Sequence, residues 1–577
     1  MAITPNPNHP KTKMNLKTYP VLLIILLLFA NCDKKPNFDQ KELIGVWSGL
    51  LFQTETKYDS IVLRPAGKAQ NATLYKNGKE KSFELTTRNN HLFFQTGDGL
   101  RFDAGEFNTS QNLNGVLTHD LWSQSLTFSK RDDSWVAPIQ KPEIIDTDYL
   151  VYLEFYKDSL GTLQAKIQSN KENRKLHFVI DSVKINGNDI EFDITNDRFG
   201  ISAEYHPNEK GLTIFYGNTF GKKEVPLTKL DPSEREGYKP LSQEKYTYEV
   251  PKPVDNYMAS ASLDSVGLNA TMLDFLPQMN SGKYDHIHSI IITKDHKLVF
   301  EEYFHGYHRE YLHDIRSSFK SMASLLLGKT MMQDQSIAVD NPILEYYPEY
   351  EFSDTRKKNI TIHHALTMSS GLELENEDDM QWKNNDWVGY KLNLPLAHEP
   401  GETYEYSSGG MNLLTGVMQK STKKYLPLFL YEDLLLPMGI ERFQMRTSPK
   451  GRGYLAGDFY LRPIDLTKFG TLVLDQGKWN GEQLISSEWV AQSTQPFIKG
   501  SWPKDSDYGY LWRLLERNVG GKPMKTIEAW GNGGQFLIII PEVNMTVTFT
   551  GGNYNLFPEM EEKPFEILEK YILPAVE

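Results

Sequence analysis

Between residues 38 and 231, short runs of alternating apolar and polar residues follow one another, each closed by a turn signal. Neighbouring side chains on a strand face opposite sides, so this period of two fits half-buried strands. Ser60-Ile61-Val62-Leu63 and Leu176-His177-Phe178-Val179-Ile180 are such runs; Asn77-Gly78, Gly97-Asp98-Gly99 and Asn186-Gly187-Asn188 are the turns between them. This part of the chain is therefore expected to be all-β. The stretch 112–132 parallels 208–231: each has a turn, a glycine, a strand, a polar tip and a strand closing on Lys and Asp. That similarity predicts two β-modules, 38–135 and 145–231, each a small antiparallel barrel or sandwich. One larger β-domain is the alternative. Trp47, Trp122, Tyr152 and Phe155 read as core rather than as a ligand platform.

Residues 232–256 form a polar linker punctuated by Pro232, Pro240, Pro251 and Pro253. Beyond it the pattern is mixed. Residues 286–303 give strand, turn at Lys294-Asp295-His296, and strand; helical periodicity begins at 316; the last strands fall at 535–540 and 544–550. Strands at both ends with helices between predict one α/β domain over 257–577, an antiparallel sheet flanked by helices with an inserted helical region. A multidomain chain is what 577 residues allow.

The net charge of −13 argues against a nucleic-acid partner. The single cysteine, Cys32, excludes an intrachain disulfide and a zinc site built on several thiolates. Residues 21–30, VLLIILLLFA, are too short to span a bilayer, which takes about 20 residues. Preceded by Lys11, Lys13 and Lys17, the run has the build of a secretory signal over 1–35. Its exit, Phe29-Ala30-Asn31-Cys32, resembles a bacterial lipobox, with Asn31 a loose match. The expectation is an exported protein, lipid-anchored through Cys32 to a bacterial membrane and facing periplasm or cell surface. A plain signal peptide is the alternative, and Met14 is a second candidate start.

The pattern S-x-x-K occurs at Ser242, Ser317, Ser421 and Ser501. Ser501-Trp502-Pro503-Lys504 reads as loop, Ser242 sits in the linker, and Ser421 lies in a basic turn. Only Ser317 opens a helix with an apolar stripe: Phe319, Met322, Leu325, Leu326 and then Met332. Residues i and i+3 share a helical face, so Lys320 can reach the Ser317 hydroxyl. Serine is a weak nucleophile until a neighbour takes its proton. A neutral lysine can do so, and both burial and the positive end of a helix disfavour the ammonium form. The same helix end offers N–H groups to an oxyanion. An N-cap serine beside a solvated lysine is the plainer alternative.

Further segments carry a resemblance: HSIIITKDHKLVFEEYF (288–304), SSFKS, ITIHHALTMSSGL (360–372), EPGETYEYSSGGMNLLTGVM (399–418), AGDFYLRPIDLTKFGTLVLDQGKWNGEQLISSEWV (456–490), YGYLW (508–512) and GNGGQFLIIIP (531–541). In order and spacing they resemble the serine β-lactamase and penicillin-binding-protein-like superfamily, especially its class C and esterase branch, over about 245–577. The family pattern is S-x-x-K, then Y-x-N, then K-T-G or H-x-G. The resemblance places Ser317 on the nucleophile, Lys320 on the base and Tyr406 on the tyrosine that shuttles a proton. Ser408 stands where asparagine is usual, and Asn532, before Gly533 and Gly534, where lysine or histidine is usual. The resemblance also implies an oxyanion hole from the Ser317 and Gln535 N–H groups, with no cofactor and no metal. The neutral amide at 532 removes a cation that helps bind a substrate carboxylate in β-lactamases and D-alanyl-peptide enzymes.

His363-His364 looks like a metal pair, but adjacent residues on a helix point apart, and the resemblance implies a structural histidine hereabouts. The acidic run Glu373, Glu375, Glu377, Asp378 and Asp379 reads as a solvated loop; lining a cleft, it would favour a cationic substrate. Trp382 and Trp387 are aromatic walls or core. The leading expectation is a secreted serine hydrolase working through an acyl-enzyme on a small-molecule or peptide ester or amide lacking that carboxylate. A D-amino-acid peptidase or β-lactamase follows, and then a non-catalytic binding protein on a hydrolase scaffold.

Overall fold

The computed structural model describes residues 35–577 apart from 53–57, 65–69, 89–90, 107–112, 140–148, 170–178, 196–199, 219–220, 232–245, 255–256, 280–282, 285 and 306. The apolar run 21–30, Cys32, Ser242 and most of the linker lie outside the described residues.

The N-terminal part is all-β, as its alternation predicts, and forms two barrel-like sheets. In spatial order the first holds Lys79–Glu84, Asn71–Lys76, Ser60–Arg64, Ser134–Pro138, Trp122–Arg131, Leu113–His119, Arg101–Glu106, His91–Gln95 and Thr86–Arg88. The second holds Leu163–Ser169, Tyr149–Lys157, Gly45–Phe52, Gly221–Lys229, Gly211–Asn218, Ile201–His206, Asp189–Thr195 and Val179–Asn186. The similar stretches 112–132 and 208–231 are equivalent hairpins within them. In each sheet one strand is inserted beside that hairpin: Ser134–Pro138, which follows it, in the first, and Gly45–Phe52 in the second. The boundary at 38 for the first module therefore needs correcting. Strand Gly45–Phe52 pairs Trp47 with Lys229 and Ser48 with Thr228. Alternation shows that a strand has a buried face but not which sheet receives it. Trp47 is buried edge-on against Tyr205, ring centroids 6.0 Å apart, and its indole N–H donates to the Leu43 carbonyl at 2.8 Å. Trp47, Tyr152 and Phe155 are core residues, as read from the sequence; Trp122 is half-buried.

The second sheet, with most of strand Gly45–Phe52, makes one compact unit. The first module and the C-terminal domain together make another. The C-terminal domain is built on a nine-stranded sheet in the order Ala259–Ser260, Lys297–Tyr303, Ile287–Lys294, Met545–Gly551, Gln535–Ile540, Lys522–Gly531, Arg513–Val519, Asp507–Tyr508 and Ile498–Lys499. All neighbours are antiparallel except Ala259–Ser260 with Lys297–Leu298. The run Phe536-Leu537-Ile538-Ile539-Ile540 is apolar without alternation because both faces are covered. Phe536, Ile538 and Ile540 join one core with Ile290, Val547 and the C-terminal helical segment. Leu537 and Ile539 join the other, under the inserted helices. The linker also ends earlier than expected. Tyr246 packs on Phe304 at 4.8 Å, and the Tyr248 hydroxyl donates to the Val299 carbonyl at 3.1 Å.

Candidate active site

Helix Phe319–Gln333 lies in the middle of the larger core, with residues 319–328 buried on every face. Of the apolar stripe seen in the sequence, Phe319, Met322, Leu325 and Leu326 are buried but Met332 is exposed, and Lys320, Ser321 and Ser324 are buried as well. The helix begins two residues later than its pattern suggested. Ser317 sits in a preceding 3-10 turn, Arg316–Ser318, entered through Arg316 at φ 49°. The i, i+3 relation survives this change. Lys320 Nζ donates to Ser317 Oγ at 2.8 Å and to the Ala456 carbonyl at 2.6 Å. Lys320 is 2% exposed and has no carboxylate within ion-pair distance among the described residues.

Tyr406 completes the group. Lys320 Nζ lies 4.8 Å from its ring centre. Burial pushes the phenol up. The Lys320 and Arg513 charges outweigh burial and hold it below its ordinary value. Ser408 opens helix Ser408–Thr422 and presents its hydroxyl 3.5 Å from Lys320 Nζ. The shorter side chain thus still reaches the lysine.

The Asn532-Gly533-Gly534 turn joins strands Lys522–Gly531 and Gln535–Ile540. Gly533 and Gly534 have φ of 96° and 93°, where a side chain is strained, and a Cβ on Gly533 would run into Tyr554. Gly531 is needed for a different reason: a Cβ there would collide with the Ile315 carbonyl beside the Ser317 turn. Ser318 Oγ donates to the Gln535 carbonyl at 2.7 Å, tying that turn to the strand. The Gln535 side chain points away, donating to the Gly551 carbonyl at 2.6 Å. Asn532 is engaged in a reciprocal pair: its Nδ2 donates to Asn555 Oδ1 at 2.8 Å, and the Asn555 N–H donates to its Oδ1 at 2.7 Å.

The cation missing at 532 has a counterpart that the sequence reading overlooked. Arg513, the residue after the YGYLW segment, places its guanidinium carbon 5.7 Å from the Tyr406 ring centre, 4.9 Å from that of Trp530 and 6.0 Å from that of Tyr508. Its Nε donates to the Trp502 carbonyl at 3.0 Å. Its two terminal amino groups meet no acceptor among the described residues. Glu561 feels this charge, but its carboxylate is held by the Trp502 indole N–H at 2.8 Å. Strand pairing across a folded sheet brings Arg513 to Tyr406, and only adjacency to YGYLW could have flagged it.

The acidic run needs two corrections, and the first is that Glu377, Asp378 and Asp379 fall in the first turn of helix Glu377–Lys383 rather than in a loop. Glu375 is not solvated: its side chain is 3% exposed and pairs with the fully buried Lys391 at 2.8 Å. It also accepts from the Ser407 hydroxyl at 2.8 Å and the Gly409 N–H at 2.5 Å, fixing the loop that carries Tyr406 and Ser408. Burial pushes this carboxyl up, but Lys391 and those donors prevail and hold it below its usual range. His363 Nδ1 meets the Tyr510 hydroxyl at 2.9 Å, and His364 closes a capping box with Thr361. Trp387 is core. Trp382 is 40% exposed, with the Arg446 guanidinium 4.4 Å over its ring.

A serine, a lysine and a tyrosine thus meet at the head of a central helix, against one strand of an antiparallel sheet. Residues 288–564 match the Beta-lactamase family model. Protein flp of Staphylococcus aureus is 26% identical over 132 residues, 22% of this chain and 26% of that protein. The chain thus spans about a quarter of the length of the curated relatives it matches. Among solved structures, a putative 6-aminohexanoate-dimer hydrolase from Bacillus anthracis is 17% identical, covering 54% of this chain and 86% of that one, with a TM-score of 0.45. A putative β-lactamase from Bacteroides dorei is 19% identical, covering 49% and 90%, with a TM-score of 0.42.

Proposed function

We propose that this protein is an exported, lipid-anchored serine hydrolase that cleaves an ester or amide through an acyl-enzyme. The observation that carries the reading is the 2.8 Å contact between Lys320 Nζ and Ser317 Oγ, with the Tyr406 ring centre 4.8 Å from the same nitrogen. Ser317 Oγ attacks the substrate carbonyl carbon as its proton passes to the Lys320–Tyr406 pair. The N–H groups of Ser317 and Gln535 receive the oxyanion. Tyr406 returns the proton to the leaving oxygen or nitrogen, the bond to the leaving group breaks, and water then releases the acid. A fluorophosphonate probe tests this: it should label the wild type and not Ser317→Ala. Folded wild type that takes no label would leave a binding protein on a hydrolase scaffold.

Arg513 favours a second reading of the substrate. Planar guanidinium donors pair with a carboxylate, so a leaving group carrying one, as in D-amino-acid peptides and β-lactams, gains a partner beside Tyr406. The anchor rests on the Phe29-Ala30-Asn31-Cys32 segment. Metabolic labelling with palmitate should mark the wild type and leave Cys32→Ala unmarked.

A further inference from the structure

The reactive serine lies three residues beyond a strand, and that strand is the last member of a sheet that begins in the first β-module. Strand Trp122–Arg131 of the module pairs at its start with Gln444–Arg446 of the hydrolase domain, setting Gln124 against Gln444, Ser123 against Met445 and Trp122 against Arg446. Gln444–Arg446 pairs in turn with Phe459–Leu461, which pairs with His313–Asp314. The Thr447 N–H donates to the Leu121 carbonyl at 2.7 Å, extending the same seam.

Side chains close it. Trp122 meets Tyr460 edge-on, ring centroids 5.8 Å apart. The buried Tyr425 hydroxyl lies 2.8 Å from Thr118 Oγ1 and 3.1 Å from Ser123 Oγ. Arg101 of the module lies over the Tyr425 ring, 3.8 Å from its centre. Among the described residues, the buried hydroxyl of Tyr425 in the hydrolase domain finds its partners only in the module.

From this seam a chain of charges runs to the nucleophile. Arg446, opposite Trp122, donates to Asp458 at 2.9 Å. Asp458 also accepts from Arg316 at 2.5 Å, and Arg316 pairs with Asp314 at 3.3 Å. Arg316 holds the left-handed conformation that turns the chain into Ser317. Such a backbone costs about 1–3 kcal/mol and persists only where its surroundings enforce it. Here the enforcing groups are Asp314 and Asp458, and Asp458 is in turn placed by the strand that the module holds.

We infer that the first β-module is a working part of the catalytic centre: hairpin residues 121–124 position Ser317 through Arg446, Asp458 and Arg316. Trp122 and Asp458 are positioning residues; neither touches the reacting atoms. The inference rests on the serine-hydrolase reading for its kinetic consequence, but not for its structural one.

The test uses the full chain with Trp122→Ala, Trp122→Phe and, as a control, Ile214→Ala in the core of the second module. Three quantities are read: the rate of Ser317 labelling by a fluorophosphonate, kcat and KM for a neutral ester, and amide hydrogen exchange in peptides covering 313–322. Trp122→Ala should slow labelling and kcat about tenfold, with KM within about twofold, and raise exchange in 313–322; Trp122→Phe should recover most of the loss. Ile214→Ala, at an equal or larger loss of Tm, should leave all three at wild-type values. The inference is overturned if Trp122→Ala changes neither rate nor exchange, or if Ile214→Ala changes them as much. Should Trp122→Ala not fold, Tyr425→Phe removes the second anchor, with about a threefold loss expected and an unchanged rate overturning the inference. If the wild type takes no label, the hydrolase reading has failed, and the exchange data alone decide whether the module orders the Ser317 turn.

Discussion

Two polar clusters meet at Ser317, and they differ in how their charges are balanced. Behind the serine, Asp314, Arg316, Asp458 and Arg446 form a neutral set in which every cation has a carboxylate. In front of it, Lys320 and Arg513 flank Tyr406 with no carboxylate in ion-pair distance among the described residues. A buried pair with both partners present holds a conformation. A buried cation without a counterion costs stability, and such groups gather where chemistry uses them. On the proposed function, support and reaction are thus divided between the two sides of one residue's backbone.

The largest expected effect tests the front cluster. Lys320→Met should lower the rate of Ser317 acylation by about 10³-fold or more, the scale of losing an activating base. Because a buried amine with no carboxylate beside it is replaced by an apolar chain of similar shape, the Tm should stay at or above the wild type's. A large drop in Tm together with retained labelling would erase the contrast. Asp458→Asn is the mirror experiment. It strips the shared carboxylate from Arg316 and Arg446, and removing one partner of a buried pair costs about 3–5 kcal/mol. Urea unfolding should show a loss of that order, and an unchanged midpoint would mean the rear cluster is not holding anything.

Tyr406→Phe should come next, with about 10²-fold lower kcat for an ester and KM within about threefold. The pH profile sharpens the assignment. The phenol is held below its ordinary value, so its anion forms at lower pH than in a free tyrosine. Activity that depends on that anion rises with pH and levels off before the ordinary phenol range. The Phe variant should lack this rise, and a profile identical to wild type would place the shuttle elsewhere.

Much of this arrangement was legible in the sequence, because helical spacing alone brings Ser317 to Lys320. The ordered motifs then located Tyr406, Ser408 and the Gly533-Gly534 turn. Illegible were contacts made between strands far apart in the chain. Nothing local distinguishes Glu375 from its solvated acidic neighbours until Lys391 is folded against it. Nothing in Gly45–Phe52 says that it completes the second sheet rather than the first. The same holds for Trp122, whose partner strand is more than 300 residues away.

The smallest expected effect concerns Arg513, and it decides how far the front cluster extends toward the substrate. Two esters would be compared, one with a carboxylate on its leaving group and one with a carboxamide at the same atom. Hydrogen bonds to a charged group are worth about 1.5–3 kcal/mol, so wild type should favour the carboxylate at least about tenfold in kcat/KM, chiefly through KM. Arg513→Leu should lose that preference while turning over the neutral ester at a rate close to wild type near the pH optimum. The same substitution removes one of the two charges that lower Tyr406, so the alkaline rise in rate should move to higher pH. If wild type handles both esters alike and only the pH shift is seen, Arg513 tunes the tyrosine without contacting substrate, and the preference for a neutral ester or amide stands.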